Sequence, residues 1–171
     1  MKKGFRYIAG SAAVIILLVF AIACGGGGES TKTYKVKEDF KVGKASWKIL
    51  SVEVTKELQR KEGVGKFSAE GMFVVLEVQI KNDSNEVANI TGDEVEIIDQ
   101  NRNSYAFDSK NNNVYLGAVG KESFTKEPVA VGATRSGFLI FDISKDAKDL
   151  KAKVKDINIT SRDFVYVDLN T

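Results

Sequence analysis

The 171-residue chain has no histidine and a single cysteine. Without histidine it lacks the commonest general base and the commonest nitrogen ligand for a metal. A lone cysteine excludes an internal disulfide framework, so its role is a partner thiol or a modification. Charge of one sign is also missing. The formal net charge is +2, but Lys2, Lys3 and Arg6 lie in an N-terminal leader; without them 22 basic residues face 23 acidic ones. A nucleic-acid binder needs a clear positive excess to displace phosphate counterions, so nucleic acid is not an expected partner. With 43% hydrophobic residues the chain can bury one sizeable core, and its length suggests one domain after the leader.

The one long apolar run, Tyr7–Ala23, follows the basic start "MKKGFR" and ends on a small residue directly before Cys24. Its 17 residues fall short of the ~20 a spanning helix needs, and the three-part pattern reads as a secretory leader over residues 1–23. An uncleaved signal-anchor helix is the alternative. The stretch "AIAC" (Ala21–Cys24) resembles the bacterial lipobox, with Ala21 where leucine is usual. That resemblance implies that diacylglycerol alkylates the Cys24 thiol and that the leader is cut before it. Two acyl chains hold a protein stably where one gives only marginal attachment. "GGGGESTKT" (Gly25–Thr33) then reads as a flexible tether whose nine residues span about 15–18 Å r.m.s.. Residues 24–33 are thus the expected lipid-modified cysteine and tether. The expected location is the extracytoplasmic face of a bacterial membrane. In a two-membrane host, Gly25 after the cysteine resembles the pattern sorted to the outer membrane.

From Tyr34 to Thr171 the hydrophobic period is two. In "GMFVVLEVQIKN" (Gly71–Asn82), Met72, Val74, Leu76, Val78 and Ile80 share one face, with Glu77, Gln79 and Lys81 on the other. "FVYVDL" (Phe164–Leu169) repeats the alternation, and "SGFLIFDI" (Ser136–Ile143) is apolar on both phases, as in a central strand. In "SWKILSVEV" (Ser46–Val54) the phase changes. A β-bulge near Ile49–Leu50 would bring Trp47 and Ile49, then Leu50, Val52 and Val54, to the inside. Shorter strand candidates are 34–42, 86–90, 95–99, 104–107, 127–131 and 156–160. Ser144–Lys153 is the one expected helical piece, with Ser144 as N-cap. Many short strands between Gly, Asn and Asp turns predict an antiparallel sandwich or barrel.

Five stretches taken in order carry a resemblance: Tyr34–Lys44, Trp47–Val54, Phe73–Asn82, Ile97–Tyr105 and Val131–Ile143. Their order and spacing are similar to those of telokin-like bacterial lipoproteins that carry the domain of unknown function 4352. The resemblance covers nearly all of residues 34–171. It implies an immunoglobulin-like β-sandwich on the outer side of a membrane, often behind a Gly/Ser-rich tether, and supplies no catalytic residues. Where the family commonly has an Asp-x-x-Gly turn, this chain has Arg102 at the glycine position. Asn101 or Asn103 is the expected residue to take the left-handed conformation there.

Candidate chemistry is sparse. Asp99, Asn101 and Asn103 alternate like the start of a calcium loop, but the sixth position is Ser104 and the twelfth Lys110, so a hairpin turn is expected and no metal. Ser109-Lys110 and Ser144-Lys145 fall in polar turns, where a lysine stays solvated and protonated. Asp93-Glu94 and Glu38-Asp39 read as solvated turn carboxylates. Gly63, Gly65 and Gly71 are followed by no helix, which excludes a phosphate-binding loop. No enzyme activity and no cofactor are expected.

Two long connections remain, Thr55–Gly71 and Asp108–Lys126, and connections of such length are often functional. Phe67, Tyr115 and Leu116 within them are the candidate partner contacts, expected exposed at one end of the sandwich. The competing reading is that Tyr115 and Leu116 fold back as a lid. The leading functional expectation is a membrane-anchored, non-catalytic binding module for an envelope protein or an extracellular ligand. The alternatives are a small-ligand or metal carrier and an accessory subunit of an envelope complex.

Overall fold

The computed structural model describes residues 32–170. The leader, Cys24 and all of the tether before Lys32 lie outside the described residues. Two sheets face each other. One has the order β1 (Thr33–Lys35), β9 (Phe164–Asp168), β8 (Lys151–Lys155), β5 (Val95–Ile98) and β6 (Ser104–Tyr105). The other has the order β2 (Phe40–Val42), β3 (Ala45–Gln59), β4 (Lys66–Asn82) and β7 (Thr134–Ile143). This is the expected immunoglobulin-like sandwich. Its pairings are antiparallel except one: β1 runs parallel to β9, with Thr33 opposite Tyr166 and Lys35 opposite Asp168.

Alternation dictates the core. Val74, Leu76, Val78 and Ile80 of β4 point inward beside Leu139 and Phe141 of β7. Val95, Ile97, Ala152, Val154, Val165 and Val167 answer from the other sheet. The bulge falls where the phase changes: Ile49 pairs with Val78 and Ser51 with Glu77, leaving Leu50 as the extra residue. Beyond it Val52 and Val54 pair with the inward residues Leu76 and Val74. They lie where β2 no longer covers β3, so Val52 is only half-buried and Val54 is 48% exposed.

Several expected elements differ. Residues 34–42 split into β1 and β2 around a turn where Lys37 has φ 71°. Residues 86–90 and 127–131 touch through one bridge, Ala88 to Val129, and 156–160 form a bend rather than a strand. Ser144–Lys153 is not a helix. Ala147 N–H donates to the Ser144 carbonyl (3.1 Å), Asp149 takes φ 48°, and β8 begins at Lys151. The signal lies in "LKAKVK": Leu150, Ala152 and Val154 are buried while Lys151, Lys153 and Lys155 face outward, a period of two.

A helix stands instead in the second long connection. α1 (Ser109–Val119) begins after Asp108, whose carboxylate accepts from Asn111 N–H (3.4 Å) and from the Asn111 side chain (2.7 Å). It ends at Gly120, whose φ of 70° suits glycine. Lys121 N–H donates to Leu116 O (2.9 Å) and Gly120 N–H to Gly117 O (3.3 Å), a Schellman cap. Ser109-Lys110 therefore opens a helix rather than sitting in a loop turn.

The two ends of the sandwich differ. At the proximal end lie the chain's arrival at Thr33, the β2–β3 turn, residues 83–94, residues 127–133 and residues 156–163. Gly43 (φ 52°) closes the β2–β3 turn there against Asp156, which accepts from Lys44 N–H (3.2 Å). A Cβ on Gly43 would lie 2.0 Å from the Asp156 carboxylate. At the distal end lie the β3–β4 hairpin tip, α1 and the β5–β6 turn.

Candidate functional site

The long connection Thr55–Gly71 is mostly ladder. A second register shift between Thr55 and Glu57 lets β3 and β4 pair on to Gln59 and Lys66, with Leu58 opposite Phe67. Only residues 60–65 form the tip. The reason is burial: this arm and α1 close over the outer face of β4 and β7. Leu58, Phe73, Val75, Leu116 and Ile140 are buried there, flanked by Phe67, Tyr115, Val119 and Phe138. Asn112, itself buried, fastens the helix by donating Nδ2–H to the Ile140 carbonyl (2.8 Å).

The three predicted contact residues thus come together, though not as an open patch. The Phe67 and Tyr115 rings meet edge-on at 4.9 Å, and Tyr115 meets Phe73 at 5.4 Å. Both Phe67 and Tyr115 are half-buried. Leu116 is only 1% exposed, so it is a core residue of this second cluster and not a surface contact. Tyr115 and Leu116 fold back as a lid, because the capped helix turns their face onto the sheet. The surface of this end is made by other groups. Val64 at the tip is fully exposed and Val114 is 61% exposed. The Arg60 guanidinium covers the Phe67 ring at 4.7 Å, and Lys121 covers Phe138 at 4.0 Å. Lys61 N–H donates to Ala118 O (2.9 Å), tying the tip to the helix. Val64 carries no sequence signal beyond its place between two glycines, and the signal for the helix is the bracket from Asp108 to Gly120.

The remaining candidates resolve into structural roles. Asp99 accepts from Asn101 N–H (2.8 Å), Asn103 N–H (2.9 Å), Asn103 Nδ2–H (2.8 Å) and Tyr105 OH (3.1 Å). Burial pushes the Asp99 carboxyl up, and these donors, Asn103 foremost, outweigh it and hold it below its ordinary value. Burial, then the neighbouring Asp99 carboxylate, push the Tyr105 hydroxyl up. Arg102 itself takes the left-handed conformation (φ 64°), not Asn101 or Asn103, whose N–H groups are both held by Asp99. Glu94, expected in solvent, is buried and accepts from Gly92 N–H (2.8 Å) and Thr91 N–H (3.3 Å). On the outer face of the five-stranded sheet a shallow cleft of about 640 Å³ is lined by Glu96, Asp99, Arg102, Lys151, Lys153 and Tyr166. Two lysines at or beside it are engaged: Lys153 lies over Phe164 at 4.5 Å, and Lys155 pairs with Glu96. Among the described residues no three His, Cys, Asp or Glu side chains gather as a metal site would require.

Two sheets around one apolar core, with polar groups spent on turns and caps, define an immunoglobulin-like β-sandwich domain. The chain belongs to the family described as domain of unknown function DUF4352, whose model matches residues 34–163. No curated protein matches it significantly. Among solved structures it is similar to a conserved hypothetical protein of Bacillus anthracis, with 24% identity over 76% of this chain and 94% of that one, at a TM-score of 0.55. It is also similar to the yjhA protein of Bacillus subtilis, with 16% identity over 79% and 99% and a TM-score of 0.57. The secreted protein MPT63 of Mycobacterium tuberculosis shares 10% identity over 80% and 96%, with a TM-score of 0.51. These likenesses establish the fold.

Proposed function

We propose that the chain is a lipid-anchored, extracytoplasmic binding module without catalytic activity, held at Cys24 and offering its distal end to an envelope protein or an extracellular ligand. One observation carries the reading: the hairpin–helix end, with exposed Val64 and Val114, lies opposite the end at which the chain arrives. A tether at Thr33 leaves that end outermost. Phe67 and Tyr115 contribute from beneath, as rigid ring support for the tip. The basic start, apolar run and Cys24 support the anchor. Secretion of MPT63, a protein of the same fold, is in keeping with work outside the cytoplasm. Among the described residues no helix is long and apolar enough to cross a membrane.

The test is chemical cross-linking in intact cells, comparing the natural chain with the Val64→Asp/Val114→Asp double variant and with Cys24→Ser. Loss of a discrete cross-linked species in the double variant, with folding unchanged, is expected. Cys24→Ser should lose incorporation of labelled lipid and remain joined to its leader. Unchanged cross-linking in the double variant rejects the distal surface, and unchanged lipid labelling in Cys24→Ser rejects the anchor.

A further inference from the structure

Exposed aliphatic side chains scattered singly over a surface need no explanation. Here three of them gather on three separate loops at the proximal end: Val87 at 59% exposure, Val131 at 54% and Ile159 at 98%. The first two of these loops are joined to each other. Ala88 and Val129 exchange backbone hydrogen bonds at 3.0 and 2.8 Å, and Gly132 N–H donates to the Asn82 carbonyl (2.8 Å). Val87 and Ile159 line the same shallow cleft of about 330 Å³, together with Asn85, Asn89 and Asn158 and one charge of each sign, Lys44 and Glu86. Ile157, two residues from Ile159, packs against the core, so the loop spends one isoleucine inside and turns the other out.

The chain arrives at this same end. β1 runs parallel to β9, and the Lys32 carbonyl accepts from Tyr166 N–H (3.5 Å), so Lys32, the first described residue, lies on the side of Phe164 and the 156–163 bend. We infer that the proximal end rests on the lipid bilayer to which the chain is tethered, with Val87, Val131 and Ile159 seated at the headgroup level. This rests on the anchor reading above. Between Cys24 and Thr33 stand eight residues, a reach of about 14–17 Å r.m.s. for a Gly-rich chain. β3, with 15 residues, spans about 50 Å, so the distal tip is carried well clear of the lipid. A link of only eight residues also makes the second contact intramolecular, with an effective concentration on the order of millimolar. Three aliphatic side chains on a polar end whose lining charges, Lys44 and Glu86, are of opposite sign then suffice to bias orientation, as in interfacial anchors. A protein partner at this end, or a second copy, is what the test must separate from lipid.

The experiment uses the full chain in vesicles of phosphatidylglycerol and phosphatidylethanolamine, with Cys24 carrying radiolabelled lipid. Ile159→Cys, Val87→Cys and Val64→Cys, each made singly, are labelled with an environment-sensitive dye and quenched by lipids bearing a nitroxide near the headgroup. Quenching at 159 and 87 is expected to exceed that at 64 roughly threefold or more. Adding Ile159→Asp should lower quenching at 87 by about half while the labelled lipid stays on Cys24. Equal quenching at 64 and 159 in a lipid-labelled chain overturns the seating and leaves the anchor standing. Shielding of 159 from aqueous iodide without lipid quenching also overturns it, in favour of a protein contact. A chain that takes up no lipid at Cys24 overturns both.

Discussion

The inner and outer faces of the four-stranded sheet are built by different rules. Inward, one phase is apolar from Met72 to Ile80 in β4 and from Leu139 to Ile143 in β7, and meets the second sheet. Outward, the same strands change character halfway. At the distal half Phe73, Val75 and Ile140 are apolar because α1 covers them. From Glu77 on, the outer positions are polar: Ser51 donates to Glu77, Gln79 pairs with Ser136, and Asp83 accepts from Ser46 and Lys81. One face is sealed by a sheet, half of the other by a single capped helix, and the rest by water and charge. A strand that is apolar on both phases thus marks where a cover lies, not merely a central position.

Three substitutions separate the two faces. The largest effect belongs to the inner face: Phe141→Ala should cost about 3–5 kcal/mol and lower the urea midpoint of the whole domain. Leu116→Ala empties the outer cluster and should cost about 2–3 kcal/mol. Hydrogen exchange should then rise over residues 109–119 and 57–68, with the inner strands still protected. Equal loss of protection on the inner strands would mean that the two clusters open as one unit. The smallest effect is on the charged half. Hydrogen bonds from Lys81, then Ser46, bring the Asp83 carboxyl from 3.8 to about 2. A carboxyl lowered in the folded state binds fewer protons there than in the unfolded chain. Its stabilisation is therefore present above about pH 4 and is lost as pH falls toward about 2. Asp83→Asn should flatten the fall of the urea midpoint across that interval, leaving the part due to Asp99, which is shifted the same way. An undiminished slope would remove Asp83 from the account.

Much of the sandwich was legible because burial on one face writes period two into a strand. β4, β7 and β9, and the bulge after Ile49, all follow from it. The misreadings have specific causes. "LKAKVK" is short and lysine-rich, and its small alternating core residues were outweighed by helix-forming composition. α1 has an asparagine-rich first turn that resembles a loop, and its identity lies in the Asp108 and Gly120 caps rather than in a strong apolar stripe. Of the candidate contact residues, Phe67 and Tyr115 meet but are half-buried rather than exposed, and Leu116 was inseparable from them in sequence until the helix set which face turned inward. Arg102 took the left-handed turn because Asp99 gathers the neighbouring amides, an effect composition does not carry.

The parallel pairing of β1 with β9 has a mechanical consequence. A pull on the chain before Thr33 acts along the strand axis, so the rungs from Thr33–Tyr166 to Lys35–Asp168 are strained together in shear. An antiparallel first strand would bring the chain in from the opposite end, and the same pull would peel it open one rung at a time. Force entering the domain through its N-terminal end is thus met by the first strand in the orientation that yields last.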